Sequence, residues 1–262
     1  MKKYWRLLCS FFKVSFIADL EYRANLVIKV ITDVIWYVAQ LSFFEVLFKH
    51  SDHLAGWSIE SMRVFMGVLF MADSLWMLLF HESMDQMSEK VRRGDLDLLL
   101  AKPVNSQFMM SLQRINTIYL VNFVMTFSWL VWSLHQLPGG FSWWKLLFLI
   151  VLMPCSLAIQ YGMRFAFAAT SIFFTRAENL TYVWYQLYRI GTRPDNLYPP
   201  YLRYLILSVI PVGFIASVPA TVLLNEPDFR WIAGGIALGL VFFTLSRAYW
   251  NYALKSYSSA SS

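Results

Sequence analysis

The strongest constraint on this chain is a set of apolar runs, each about 20 residues long and separated by short charged stretches. Segment 24–48, ANLVIKVITDVIWYVAQLSFFEVLF, carries only Lys29, Asp33 and Glu45 as charges. A hydrocarbon core ~30 Å thick needs about 20 helical residues at ~1.5 Å each, so such a run can cross a bilayer. Composition argues against a soluble core. Of the 262 residues, 58% are hydrophobic and only 15% charged, against roughly 25% charged in soluble domains. The expected fold class is an all-α integral membrane protein, a single transmembrane domain over 1–262. Six spans are expected, near 24–48, 62–83, 114–135, 143–174, 203–223 and 231–252.

The formal net charge is +6. In a membrane protein that excess reports orientation rather than nucleic-acid binding. With the N-terminus inside, Lys2, Lys3, Arg6, Lys13 and Arg23 are cytoplasmic, as are Lys90, Arg92, Arg93, Lys102 and Arg114 between spans two and three. Arg176, Arg189, Arg193 and Arg203 fall between spans four and five, and Lys255 follows span six. The opposite side keeps Lys49, Arg63, Lys145 and Arg230. This asymmetry supports an even number of spans with both termini cytoplasmic. In segment 1–22, Tyr4, Trp5, Leu7, Leu8, Phe11 and Phe12 alternate with cations, which suits a helix lying in the membrane interface. Arg6 and Lys13 interrupt its apolar run and no small-x-small site comes after it, so it does not read as a secretory signal. Segment 175–202 is too polar for a span; it reads as an aromatic interfacial helix ending in a Pro/Gly turn. The SSASS tail reads as disordered. Cys9 and Cys155 lie far apart in apolar surroundings and suggest neither a disulfide framework nor a thiolate metal site.

Between spans two and three the chain leaves the apolar regime over 84–113. EKVRRGDLDLLLAKP, 89–103, packs four cations and three carboxylates around one glycine. Met84, Met87 and Val91 recur at helical spacing over Ser83–Arg93. Gly94 suits a left-handed stop, and Asp95 can cap a second short helix whose apolar surface is Leu96, Leu98, Leu99 and Leu100. Pro103 ends it, and Asn105 or Ser106 can cap the next helix. Two readings stand for this rigid helix: it rests on anionic lipid through Lys90, Arg92, Arg93 and Lys102, or it docks onto a protein. Asp95 and Asp97 would face a negative lipid surface, which weighs against pure lipid binding.

VRRGDLDLLLAKPV resembles the loop between the second and third spans of type-2 permeases of ATP-binding-cassette (ABC) exporters, the subgroup without a fused ATPase. The interfacial N-terminal helix, the six spans and the run IPVGFIASVPA at 210–220 are similar to that family as well. The resemblance implies that 84–113 is a cytoplasmic coupling loop docking into a groove on a cytosolic ATPase. Its docking residues would be Glu89, Arg92, Arg93, Gly94, Asp95, Leu96, Leu98, Leu99 and Pro103. It implies a bacterial cytoplasmic (inner) membrane protein working with ABC ATPase subunits and a second permease, identical or different. No GxxxxGK[ST] phosphate loop occurs in the chain, so ATP and Mg are expected on the partner ATPase, with no cofactor here. An amphiphilic or lipid-like cargo is the expected substrate, because the outer loops are short and no wide hydrophilic helix face is evident.

Other residues carry weaker signals. Asp33, Asp73 and Arg164 lie inside expected spans, each roughly 14–15 Å from the cytoplasmic boundary. Charges at such depth are expected to pair, which suggests a packing salt bridge, Asp73–Arg164 being the testable pair; a polar patch on a substrate path is the alternative. Pro211, Gly213 and Pro219 interrupt the fifth span, as either a gate or an ordinary kink. Gly235 and Gly239 form a GxxxG that permits close helix contact. His50, Asp52 and His53 lack a fourth metal ligand and read as a solvated loop. An integral-membrane enzyme acting on lipid, or a scaffold, remains the alternative function, but no catalytic cluster stands out.

Overall fold

The computed structural model describes residues 2–21, 23–51, 53–174 and 178–257. Arg176, Asp52 and the tail at 258–262 lie outside the described residues. The chain forms α1 (Lys2–Glu21), α2 (Arg23–Phe48), α3 (Ile59–Trp76), α4 (Glu82–Asp85), α5 (Met87–Arg93), α6 (Asp95–Leu100), α7 (Ser106–Leu112) and α8 (Tyr119–His135). Next come α9 (Leu146–Ala169), α10 (Glu178–Gly191), α11 (Pro200–Ser208), α12 (Ser217–Leu224) and α13 (Phe229–Lys255). Among the described residues there is no β-strand, only an isolated bridge between Leu54 and Trp57.

Among the described residues, four helical stretches are long and apolar enough to cross a membrane: Arg23–Phe48, Ile59–Arg93, Trp143–Ile172 and Phe229–Lys255. These coincide with expected spans one, two, four and six. The second is continuous because a π-helical turn, Met77–His81, joins α3 to α4. The two remaining spans differ from expectation. The third is helical over Tyr119–His135, 17 residues, because 113–118 leaves the helix to bond the π-helical turn below α3. There the Asn116 N–H donates to the Leu78 carbonyl (2.9 Å).

The fifth span, expected near 203–223 with an interruption at Pro211 and Gly213, is not one continuous helix: α11 ends at Ser208, and a 3-10 turn at Val212–Phe214 separates it from α12. Pro211 supplies no N–H to continue α11, and a Cβ on Gly213 would meet the Leu207 side chain at 2.8 Å. Pro219 does not kink anything. It sits in the first turn of α12, where an N–H has no intrahelical acceptor in any case.

α9 and α13 pack along their whole length, and small residues make this possible. A Cβ on Gly162 would collide with the Phe242 carbonyl oxygen. A Cβ added to Gly235 or Gly239 would lie 3.4 Å from Leu152 or Cys155, respectively. The GxxxG pair is thus used inside the chain, against α9. α3 meets α8 the same way, with Gly67 against Leu130. α2 keeps an outward apolar surface including Ile28, Ile31, Ile35 and Val38.

At the foot of the bundle, the end carrying 84–113, α1 lies across the returning chain. The Thr117 N–H and hydroxyl donate to Asp19 Oδ2 (2.9 and 2.6 Å), and the Ile115 N–H donates to Ser15 Oγ (3.2 Å). The outer surface of α1 keeps Trp5, Val14, Ile17 and Leu20 exposed, the amphipathic pattern of a helix resting in an interface.

Gly162→Ala is expected to destabilise the protein by about 1–3 kcal/mol, since the methyl group must separate two backbones. Gly239→Ala, which makes ordinary contacts, should melt near the wild type. Thermal melts of the detergent-solubilised chain read the difference; equal melts for the two variants would show that the α9–α13 seam has slack.

Candidate functional site

At the foot, the chain builds its turn as the residue types require. Gly94 has φ 78 and ψ 7, the left-handed conformation that favours glycine. It is also the N-cap of α6, so Asp95, expected as the cap, is instead the first helical residue. Asn105 caps α7, accepting from the Phe108 N–H at 3.0 Å.

The leucines divide sharply. Leu96 is fully buried and Leu99 nearly so, packed with Met84, Met87, Met109, Phe165 and Trp250. Leu98 is 69% exposed, and Leu100 is exposed to a lesser degree beside it. Of the residues expected to dock, only Leu98 thus offers a large apolar contact; Leu96 and Leu99 hold the helix to the bundle. Around Leu98 stand exposed Arg92, Arg93, Asp95 and Pro103. Glu89 pairs with Arg93 and lies 3.8 Å from Arg92. Lys3 Nζ donates to the Pro103 carbonyl, tying α1 to this turn. Tyr257, past the end of α13, faces Asp97; partial burial and that carboxylate raise its phenol above the usual value.

Above the foot, the intramembrane charges find partners other than the expected one. Arg164, whose side chain is 2% exposed, bonds Asp85 Oδ1 through Nη2 at 2.6 Å. The same nitrogen donates to Thr181 Oγ1 at 3.3 Å. Asp85 also accepts from Tyr185 Oη (3.3 Å) and lies 3.6 Å from His81 Nδ1. The Asp73–Arg164 pair is therefore corrected to Asp85–Arg164. Asp85 follows the π-helical turn Met77–His81, which sets the angle at which its carboxylate meets Arg164.

Asp73 and Asp33 remain apart from this pair and share a second environment. Asp73 Oδ1 accepts from Tyr188 Oη (3.2 Å), and Asp33 Oδ2 accepts from Asn122 Nδ2 (2.6 Å). Both carboxylates line one cavity of about 560 Å³. α2 contributes Trp36, Tyr37 and Gln40, and α3 contributes Met66 and Trp76. α10 contributes Trp184, Tyr185 and Tyr188, with Gln160 from α9.

α10, within the segment 175–202 expected to be interfacial, packs one face against the bundle and keeps Tyr182, Val183 and Arg189 exposed. Trp184 is 1% exposed and belongs to the main core, and Gly191 abuts the Val212 carbonyl. On that face Thr181, Tyr185 and Tyr188 meet Arg164, Asp85 and Asp73 respectively. A larger cavity, about 620 Å³, opens at the foot among α1, α7, α9 and α13. Its buried polar groups satisfy one another: Gln107 Nε2 donates to Tyr161 Oη (3.0 Å) and Ser246 Oγ (3.2 Å).

Tyr188, Asn122 and Gln160 were not legible beforehand. Each is one polar residue on an apolar face, and only the need of Asp33 and Asp73 for partners pointed to such groups.

Asp85→Ala is expected to cost about 3 kcal/mol, the low end for a broken buried pair because Asp85 is about one-third exposed. Exchanging Asp85 and Arg164 should recover part of that loss in a double-mutant cycle read by thermal melts. Exchanging Asp73 and Arg164 should recover none.

A family model described as "ABC-2 family transporter protein" matches residues 34–261. No curated protein and no solved structure matches the chain. The helical architecture, its membrane-length apolar helices and this match over most of the chain agree: the chain is a multi-pass membrane protein of the ABC-2 transporter family.

Proposed function

We propose that this chain is the transmembrane subunit of an ATP-driven exporter, driven by a separate ATPase that docks on α6. The observation that carries this reading is the division of the leucines. A six-residue helix is anchored by Leu96 and Leu99 and presents Leu98 outward among charges. Asp95 and Asp97 flank Leu98, an arrangement better suited to a protein groove than to anionic lipid. In this reading the foot, both termini and α1 are on the cytoplasmic side of a bacterial inner membrane, as the cation asymmetry suggests.

The packing supplies a route for the push. Leu96 and Leu99 share one cluster with Met84 and Met87 below α3, Met109 of α7, Phe165 of α9 and Trp250 of α13. Displacing α6 therefore moves the ends of three long helices together, because a close-packed cluster transmits strain. ATP and Mg sit on the partner, whose closing supplies the displacement. A second permease copy, identical or different, completes the pathway. The break at Pro211–Gly213 provides a point where the opposite end can yield. The cargo is an amphiphile, for which the aromatic cavity offers a fitting surface.

Leu98→Asp is expected to leave the melting temperature unchanged and to lower co-purification of the ATPase encoded beside the gene at least tenfold, or about 1.4 kcal/mol. Leu96→Asp should instead destabilise the chain. Retention of the ATPase by the Leu98→Asp variant, or no ATPase bound by the wild type, would overturn the proposal.

A further inference from the structure

The cavity between α2, α3 and α10 holds two carboxylates and a set of aromatic rings. Two carboxylates at membrane depth, Asp33 and Asp73, each use one oxygen in a hydrogen bond, to Asn122 and Tyr188. Among the described residues neither has an ion-pair partner, although a charge at membrane depth is costly unless compensated. A third acceptor lies with them: Gln160, only 2% exposed, lines the same cavity, and its Oε1 has no hydrogen-bond partner among the described residues. The walls are aromatic, with Trp36, Tyr37, Tyr119, Trp184 and Tyr188 among them, and ring faces attract cations most strongly where water is excluded. The cations near this cavity sit at its edges. Arg189 lines it but is exposed and turned to Gln186 (3.4 Å), and Lys29 stands over Tyr119, 4.8 Å from the ring centre.

We propose that this cavity binds an organic cation with apolar substituents, of the quaternary ammonium or phosphonium kind, with Asp33 and Asp73 as counter-charges, Gln160 as a polar contact and the aromatic rings as walls. A volume of about 560 Å³ accommodates a molecule of drug size. A metal ion fits poorly, since the lining offers rings and only a few side-chain acceptors at separate positions. This inference deepens the exporter reading by naming its substrate class, and it rests on that reading only for transport, not for binding.

The test uses the full chain in detergent without any ATPase, so it is independent of whether an ATPase docks. Tetraphenylphosphonium and tetraphenylborate have nearly the same shape and opposite charge. Tetraphenylphosphonium is expected to bind saturably and to quench tryptophan fluorescence, and tetraphenylborate is not. The Asp33→Asn/Asp73→Asn variant should weaken tetraphenylphosphonium binding at least tenfold, while Glu226→Gln, an exposed carboxylate elsewhere, should leave it unchanged. If the double variant does not fold, Gln160→Leu and the single Asp variants carry the comparison, each expected to weaken binding severalfold. Competition then separates two sources of the same chemistry. Displacement by dodecyltrimethylammonium but not by lysophosphatidylcholine supports a free amphiphilic cation; displacement by both supports access for a choline headgroup. Equal binding of the two tetraphenyl ions, no saturable binding, or binding unaffected by loss of the carboxylates would overturn the proposal.

Discussion

A guanidinium buried among apolar helices cannot stand alone, and the arrangement of this bundle depends on how Arg164 is satisfied. Asp85 supplies the opposite charge at 2.6 Å, and Thr181 supplies a further acceptor. The first comes from the lower end of the α3–α4 helix and the second from α10. One side chain of α9 thus ties together three segments that no continuous backbone ladder connects. It also explains how a stretch as polar as α10 packs one face against the bundle. Its hydroxyls meet Arg164, Asp85 and Asp73, so their desolvation is offset where they stand.

The same economy of partners leaves a remainder. Arg164 takes Asp85, and Asp33 and Asp73 are left with neutral donors among the described residues. Two negative groups facing an aromatic cavity, with an unpartnered amide oxygen beside them, form an electrostatic environment that favours cations. Such a site lies between α2, α3 and α10, helices whose lower ends lead to the turn at 84–113 or lie close to it. The proposed drive at the foot and the proposed binding in the cavity would therefore act on shared structural elements, a physical basis for coupling one to the other.

At the foot, a helix of only six residues would be marginal on its own. Its stability comes from tertiary packing: Leu96 and Leu99 enter a cluster with Met84, Met87 and Trp250, and Gly94 turns the chain at a left-handed conformation. Rigid anchoring on one side and an exposed leucine on the other are two consequences of the same i, i+2, i+3 spacing. That spacing places Leu98 on the face opposite Leu96 and Leu99.

Apolar runs longer than a bilayer is thick, the cation asymmetry and the turn around Gly94 were all readable in the amino-acid order. Each depends on local chemistry: transfer of side chains out of water, and the backbone freedom of one glycine. The membrane class, four of the long helices and the helical turn at 95–100 come from these alone. Which acid meets Arg164, which leucine faces outward, and which face of 178–191 packs on the bundle are different questions. They depend on pairings between residues 17 to 115 positions apart, and on a π-helical turn that rotates Asp85 out of the phase a regular helix would give it. Local pattern carries no information about such partners. Only the tertiary structure decided them, because a buried charge selects whichever opposite group the packed helices bring within reach.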